Sequence, residues 1–266
     1  MSRIADLHPG RLAGSAPPPL FTARTIGVPL GLACTGAASA ALGAPALAVA
    51  LVATATVCAM HILAPWVRTQ SRRTGGAIAD ALYLAPYVLF FLPYVLWALA
   101  VPPAWGWHAW GAVAALLCGL AFQGVDAKSW RTLFTPDIMR LMPATRPLSA
   151  ALESYQLMAS AFCQELFYRG VLFVVLVPEI GAWPTVVVTS LLFTLEHFGN
   201  RWGTTAHAKG YYLRITLFAG ALGALAAVTG SWLVALLGHL VFNLVPAVQL
   251  SARAVLTRAS FREEIA

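Results

Sequence analysis

Residues 45–67 read PALAVALVATATVCAMHILAPWV, an unbroken apolar run without one charged side chain, and Arg68 closes it. A helix needs about 20 such residues to cross the roughly 30 Å hydrocarbon core of a bilayer. The run lacks the strict alternation of a barrel strand, and in lipid every backbone donor and acceptor must be satisfied within the segment, which leaves a helix. Working outward, comparable runs occupy residues 26–43, 77–101, 106–124, 151–177, 183–200, 211–230 and 232–250. Hydrophobic residues make up 59% of the 266 positions and charged ones 10%, a balance that excludes an ordinary water-soluble domain. The expected fold class is all-α: a polytopic membrane protein of about eight transmembrane helices.

The formal charge of +7 raises the question of nucleic acid, which the placement of the charge answers. Arg3, Arg11 and Arg24 precede the first run; Arg68, Arg72 and Arg73 follow the second; Lys128, Arg131, Arg140 and Arg146 lie between the fourth and fifth. Arg201, Lys209 and Arg214 flank the junction of the sixth and seventh, and Arg253, Arg258 and Arg262 follow the eighth. In an eight-span arrangement all of these fall on one side, while the opposite turns near 43–45, 102–105, 178–182 and 230–231 carry no Lys or Arg. Such segregation is the positive-inside pattern, so both termini are expected in the cytoplasm, in a cell's inner (cytoplasmic) membrane, with no nucleic-acid partner.

Residues 1–25 read as a cytoplasmic tail, 26–125 as four helices, 126–150 as a cytoplasmic interfacial segment, 151–250 as a second four-helix unit and 251–266 as a C-terminal tail. The first apolar run continues past one proline-containing break to about Val67, which reads as a span rather than a cleavable leader. Within 126–146, Trp130, Leu133, Phe134, Ile138, Leu141 and Met142 alternate with charged residues, as in an amphipathic helix lying on the leaflet or gating a site, with Pro136 as a break. Trp66, Trp105, Trp107, Trp183, Trp202, Tyr211, Tyr212 and Trp232 near predicted helix ends suit interfacial belts. Cys34, Cys58, Cys118 and Cys163 lack zinc or disulfide spacing and read as reduced core residues.

The informative residues are the polar ones inside apolar runs, where each costs free energy unless it is paired or used. Arg169 is the basic residue deep within a span, and Glu165 stands one turn before it at the spacing that lets the two neutralise each other. Gln164 projects about 100° away from Glu165 and can face a cavity. Phe193, Glu196 and His197 share the sixth run, and His239 and Asn243 stand one turn apart in the eighth. Three helices thus offer groups that donate, accept or shuttle protons, and a common polar cavity is the economical expectation. His61 and His108 read as helix–helix hydrogen-bonding groups, His8 and His207 as exposed, and Glu179 as solvated.

In order, the chain reads Gln164-Glu165-Leu166-Phe167-Tyr168-Arg169, then Phe193-x-x-x-His197, then His239-x-x-x-Asn243. This resembles the CPBP family (CAAX protease and bacteriocin-processing, or Abi) of intramembrane proteases, with its Glu-Glu-x-x-x-Arg, Phe-x-x-x-His and His-x-x-x-Asn motifs. The likeness covers about residues 150–250. It implies an endopeptidase that cuts near the C-terminus of membrane-embedded or lipid-modified protein substrates, such as prenylated CAAX proteins or proteins with C-terminal sorting signals. It also implies that Gln164 and His197 hold the water positions, Glu165 and Arg169 form a supporting pair, and His239 with Asn243 meets the oxyanion, with Phe193 and Glu196 in support.

One position departs from the family pattern. Gln164 stands where the family carries its catalytic Glu, and an amide cannot act as a general base near neutral pH. The chain as written is therefore expected to be inactive or badly impaired: an engineered Glu-to-Gln form, a natural pseudoenzyme, or an enzyme in which Glu165 or Glu196 takes over. His197, His239 and Glu165 could ligate zinc, but no His-Glu-x-x-His helix is present, so a metal-independent mechanism is favoured. A catalytically silent scaffold or immunity protein of the same fold and a small-solute transporter are the rival functions.

Overall fold

The computed structural model describes residues 21–70, 74–103, 106–123, 135, 147–199 and 209–263. All regular structure among these is helical: α1 (Ala23–Ala41), α2 (Pro45–Gln70), α3 (Gly76–Leu84), α4 (Pro86–Leu89), α5 (Leu92–Ala100), α6 (Ala109–Gln123), α7 (Pro147–Glu165, prolonged by a π-helical turn Leu166–Val171), α8 (Leu172–Ile180), α9 (Ala182–Gly199), α10 (Lys209–Thr229) and α11 (Trp232–Glu263). The interfacial segment expected at 126–146, apart from Thr135, and Trp105, Trp202, His8 and His207 lie outside the described residues.

These helices fall on the eight apolar runs of the sequence, with α3 to α5 forming one bent rod and α7 to α8 one continuous rod. Pro45–Gln70, Pro147–Ile180, Gly210–Thr229 and Trp232–Ala252 are long and apolar enough to cross a membrane, and Gly76–Leu89 with Leu92–Ala100 makes a fifth if the pair, bent by 42°, is one span. The bend follows from Pro86 and Pro93, which supply no N–H to the ladder. Helix α6 has 15 residues, about 22 Å of helix, short of the hydrocarbon thickness. Helices α1 and α9 are diluted by small and polar residues. In α9 these are accommodated by back-bonding: the hydroxyls of Thr185, Thr189, Ser190 and Thr194 donate to carbonyls one turn earlier at 2.6–2.9 Å.

Large apolar side chains face outward, among them Leu99 at 73% exposure, Val88 at 67% and Leu213 at 62%, a surface that only lipid solvates without penalty. The chain is a multi-pass integral membrane protein.

The second half forms the frame of the site: α11 packs along α7 and α6, α10 lies between α9 and α11, and α1 and α2 cover α9 and α8. Glycines allow the closest approach. Gly119 of α6 meets the backbone of Gly238 in α11, and a Cβ on Gly238 would stand 2.8 Å from the Ala115 carbonyl oxygen. Rods can come this near only where neither carries a side chain.

Two expectations need correction. Cys34 is exposed rather than core, because the outward face of a lipid-facing helix is apolar too, whereas Cys118 is partly buried and packs against the cluster of Phe218, Leu222, Ala226 and Ala235. Trp232 is buried, its ring 5.7 Å from that of Phe162, so it packs between helices instead of joining a belt. The part of the last helix long and apolar enough to cross a membrane is Trp232–Ala252, in keeping with the run at 232–250, and the helix itself continues to Glu263.

Candidate active site

Helix α7 delivers Gln164, Glu165 and Arg169 across the junction where its α-helical geometry gives way to the π turn, an irregularity found often at functional sites. Glu165 is fully buried. Its Oε1 accepts Nη1 of Arg169 at 3.1 Å and lies 2.7 Å from Nδ1 of His239. Arg169 is anchored a second time, Nη2 donating to the Ala219 carbonyl of α10 at 2.6 Å. One carboxylate and one guanidinium thus tie α7, α10 and α11 together, as buried charges require.

Gln164 points elsewhere. Its Nε2 donates to Oε1 of Glu196 at 2.6 Å, and the same oxygen accepts the hydroxyl of Tyr94 at 2.8 Å. His61 Nε2 reaches that hydroxyl at 3.2 Å and lies 3.6 Å from Glu196 Oε1. Since a tyrosine hydroxyl has one proton and gives it to Glu196, Nε2 of His61 is the donor to Tyr94. His61 is therefore an interhelical hydrogen-bonding group, yet its chain of bonds reaches position 164.

Phe193 is the hinge between the two histidines. Its ring centroid lies 4.4 Å from that of His197 and 5.8 Å from that of His239, and the Arg169 guanidinium carbon stands 5.1 Å from it. His197 Nδ1 contacts the Phe193 carbonyl at 2.9 Å. A carbonyl only accepts, so Nδ1 carries the proton and, in the neutral ring, Nε2 holds the lone pair of a base. Asn243 Nδ2 donates to the Leu157 carbonyl at 2.7 Å and has a second N–H.

Gln164, Phe193, His197, His239 and Asn243 line one cavity of about 790 Å³, a size suited to a peptide segment. Glu165 and Glu196 are not among its lining residues: both stand behind it, at 0% and 1% exposure. At position 164 the cavity thus meets an amide, with Glu165 and Glu196 in the layer behind and Glu153 as a carboxylate of the cavity wall. Tyr94, Gln156, Ser160, Arg214 and Phe218 also belong to the site or its wall and carried no motif; the signals the sequence offered were polar groups in apolar runs at Tyr94, Gln156 and Ser160 and a basic residue at a run's edge at Arg214. Among the described residues no three His, Cys, Asp or Glu side chains converge as a metal-binding set.

Residues 148–245 match the family model described as type II CAAX prenyl endopeptidase Rce1-like, and this segment spans α7 to α11 with every residue of the three motifs. That match supports assigning residues 148–245 to the CPBP/CAAX protease family. No curated protein and no solved structure matches it. A match to a protease family, together with helices long and apolar enough to cross a membrane, fits a protein substrate and a lipid bilayer in general terms.

Proposed function

We propose that this chain is an intramembrane endopeptidase of the CAAX type that cleaves near the C-terminus of membrane-associated proteins, and that it is impaired as written because position 164 is Gln. The observation carrying this reading is that Gln164, His197, His239 and Asn243, from three helices, face one cavity. Water between Gln164 and His197 would lose a proton to His197 Nε2 as its oxygen adds to the scissile carbonyl carbon. The negative oxygen then meets Asn243 Nδ2 and His239 Nε2, and collapse breaks the C–N bond with return of the proton to the leaving amine. For His239 to donate from Nε2 while Nδ1 bonds Glu165, it must be an imidazolium. With Arg169 on the same carboxylate, the trio then holds one net positive charge beside the developing anion, which is the sign catalysis needs.

The Gln164 amide oxygen can orient water but cannot accept its proton, which is why the chemistry falls to His197 alone. A catalytically silent scaffold rests on the same amide. Eight spans with both termini cytoplasmic, in a cell's inner membrane, is the topology we propose around this site, supported by the one-sided placement of Lys and Arg.

The test is capture followed by cleavage. Membrane proteins copurifying with the Gln164 chain are identified by mass spectrometry and incubated with Gln164→Glu. A captured protein shortened at its C-terminus only by the glutamate form supports the protease; captured proteins that neither form shortens support the scaffold.

A further inference from the structure

The family match begins at residue 148, yet the hydrogen bonds that meet position 164 reach back beyond it. Tyr94 of α5 and His61 of α2 are both buried and neither lines the cavity. They stand behind Glu196 as Glu196 stands behind Gln164.

Counting protons gives this chain of bonds a direction. Oε1 of Glu196 accepts twice, from the Tyr94 hydroxyl at 2.8 Å and from Gln164 Nε2 at 2.6 Å, so a proton carried by Glu196 would have to sit on Oε2. The one proton of Tyr94 has two candidate acceptors, that oxygen and His61 Nε2 at 3.2 Å. A proton on Nε2 removes the second. His61 Nδ1 is buried with no hydrogen-bond partner among the described residues, and an orphan lone pair is tolerated more readily than an orphan N–H, which places the ring proton on Nε2. The donors of His61, Tyr94 and Gln164 therefore all run toward Glu196. Gln164 lines the cavity and spends its N–H on a residue that does not, so its oxygen is the atom left for the cavity. That orientation suits hydrolysis: an amide oxygen takes a hydrogen from water and leaves the water lone pairs free to attack, whereas a reversed amide would donate to one of them.

We propose that Tyr94, backed by His61, is a positioning residue for position 164: it keeps Oε1 of Glu196 an acceptor and thereby holds the Gln164 amide with its oxygen toward the cavity. Helices α2 and α5, outside the matched segment, complete the site in this way. The benefit to catalysis rests on the endopeptidase reading, whereas the orientation of the amide stands apart from it.

The test reads the amide itself by NMR, on the full-length chain in phosphatidylcholine nanodiscs with isotope-labelled glutamine side chains. The Gln164 signal is assigned by its loss in Gln164→Glu. Its two side-chain protons should be inequivalent, the one bonded to Glu196 shifted downfield and slow to exchange with solvent. Tyr94→Phe keeps the ring that meets Phe167 edge-on and should abolish the downfield shift and speed exchange about tenfold, the scale of one buried hydrogen bond. The other glutamine signals, unchanged, show that the fold is intact. His61→Phe, which preserves an aromatic ring against Phe90, should give a smaller change of the same sign, because the Tyr94 proton still reaches Glu196. Trp97→Phe deletes a different α5–α2 bond, from Trp97 Nε1 to the Thr56 hydroxyl at 3.0 Å, and should leave the signal unmoved. A Gln164 signal indifferent to Tyr94→Phe overturns the proposal, as does an equal response to Trp97→Phe, which would make helix packing the cause. If Tyr94→Phe does not fold, a His61→Phe signal identical to that of the parent chain overturns it as well. A chain that cuts no substrate can still show the response, so failure of the endopeptidase reading and failure of the Tyr94 assignment read out separately.

Discussion

The Gln164 amide donates to the Glu196 carboxylate at 2.6 Å, and this bond fixes which way round the amide stands, because a carboxylate only accepts. The oxygen of Gln164 is left as the atom for other partners. Position 164 in this chain is matched to a neighbouring acid, and an acid placed there would meet Glu196 at hydrogen-bond distance.

That pairing predicts a swap. Gln164→Glu alone forces two carboxylates to share one proton, whereas Gln164→Glu with Glu196→Gln restores one acid and one amide with the roles exchanged. The double variant should cleave about tenfold faster than the single one at neutral pH, the equivalent of ~1.4 kcal/mol. Initial rates on a common substrate decide this, and a slower double variant would show that Glu196 is needed as an acid.

Asn243 has an N–H to spare after bonding Leu157, and the account gives it to the oxyanion. In a Gln164→Glu background, Asn243→Ala should lower kcat by about 10²–10³ with little change in KM. A rise in KM at constant kcat would assign it to substrate binding instead.

Arg169 and Glu165 join α7 to α10 and α11 through buried polar bonds. Arg169→Gln leaves Glu165 with His239 as its remaining hydrogen-bond partner among the described residues and should cost about 3–5 kcal/mol, read as a lowered Tm in detergent. Adding Glu165→Gln should recover part of that loss, since the uncompensated charge is gone. Strictly additive losses would mean that the two do not act as a pair.

Gly238 sets the depth of His239. A Cβ there meets the Ala115 carbonyl at 2.8 Å and Leu222 Cδ2 at 2.7 Å, so Gly238→Ala should cost about 1–3 kcal/mol and lower activity by shifting α11. Gly220→Ala, whose Cβ meets nothing within 4 Å, is the control and should leave Tm and rate unchanged.

Much of this site could be read from spacing. Polar residues inside apolar runs identify themselves, and the four-residue step from Glu165 to Arg169 is a contact that helix geometry dictates. The Tyr94 to Glu196 bond joins residues 102 apart and depends on how α5 leans on α9, which no local pattern encodes. His61 looked like a helix–helix bonding group and is one, but its partners emerged only with the packing. The 42° bend had visible causes in Pro86 and Pro93, while the π turn at Leu166–Val171 had none. Arg214 was legible as a basic residue at a helix edge; its position over Phe242 and beside the cavity came from the meeting of α10 and α11.

The most direct measurement is the quantity of C-terminally shortened substrate formed in reconstituted membranes by the Gln164 chain, by Gln164→Glu and by Gln164→Glu with His197→Ala. The account predicts a rate for Gln164→Glu at least about 10²-fold above both others, the scale of one general acid–base contribution. Equal cleavage by all three, or none by any of them on a substrate that binds, would contradict it.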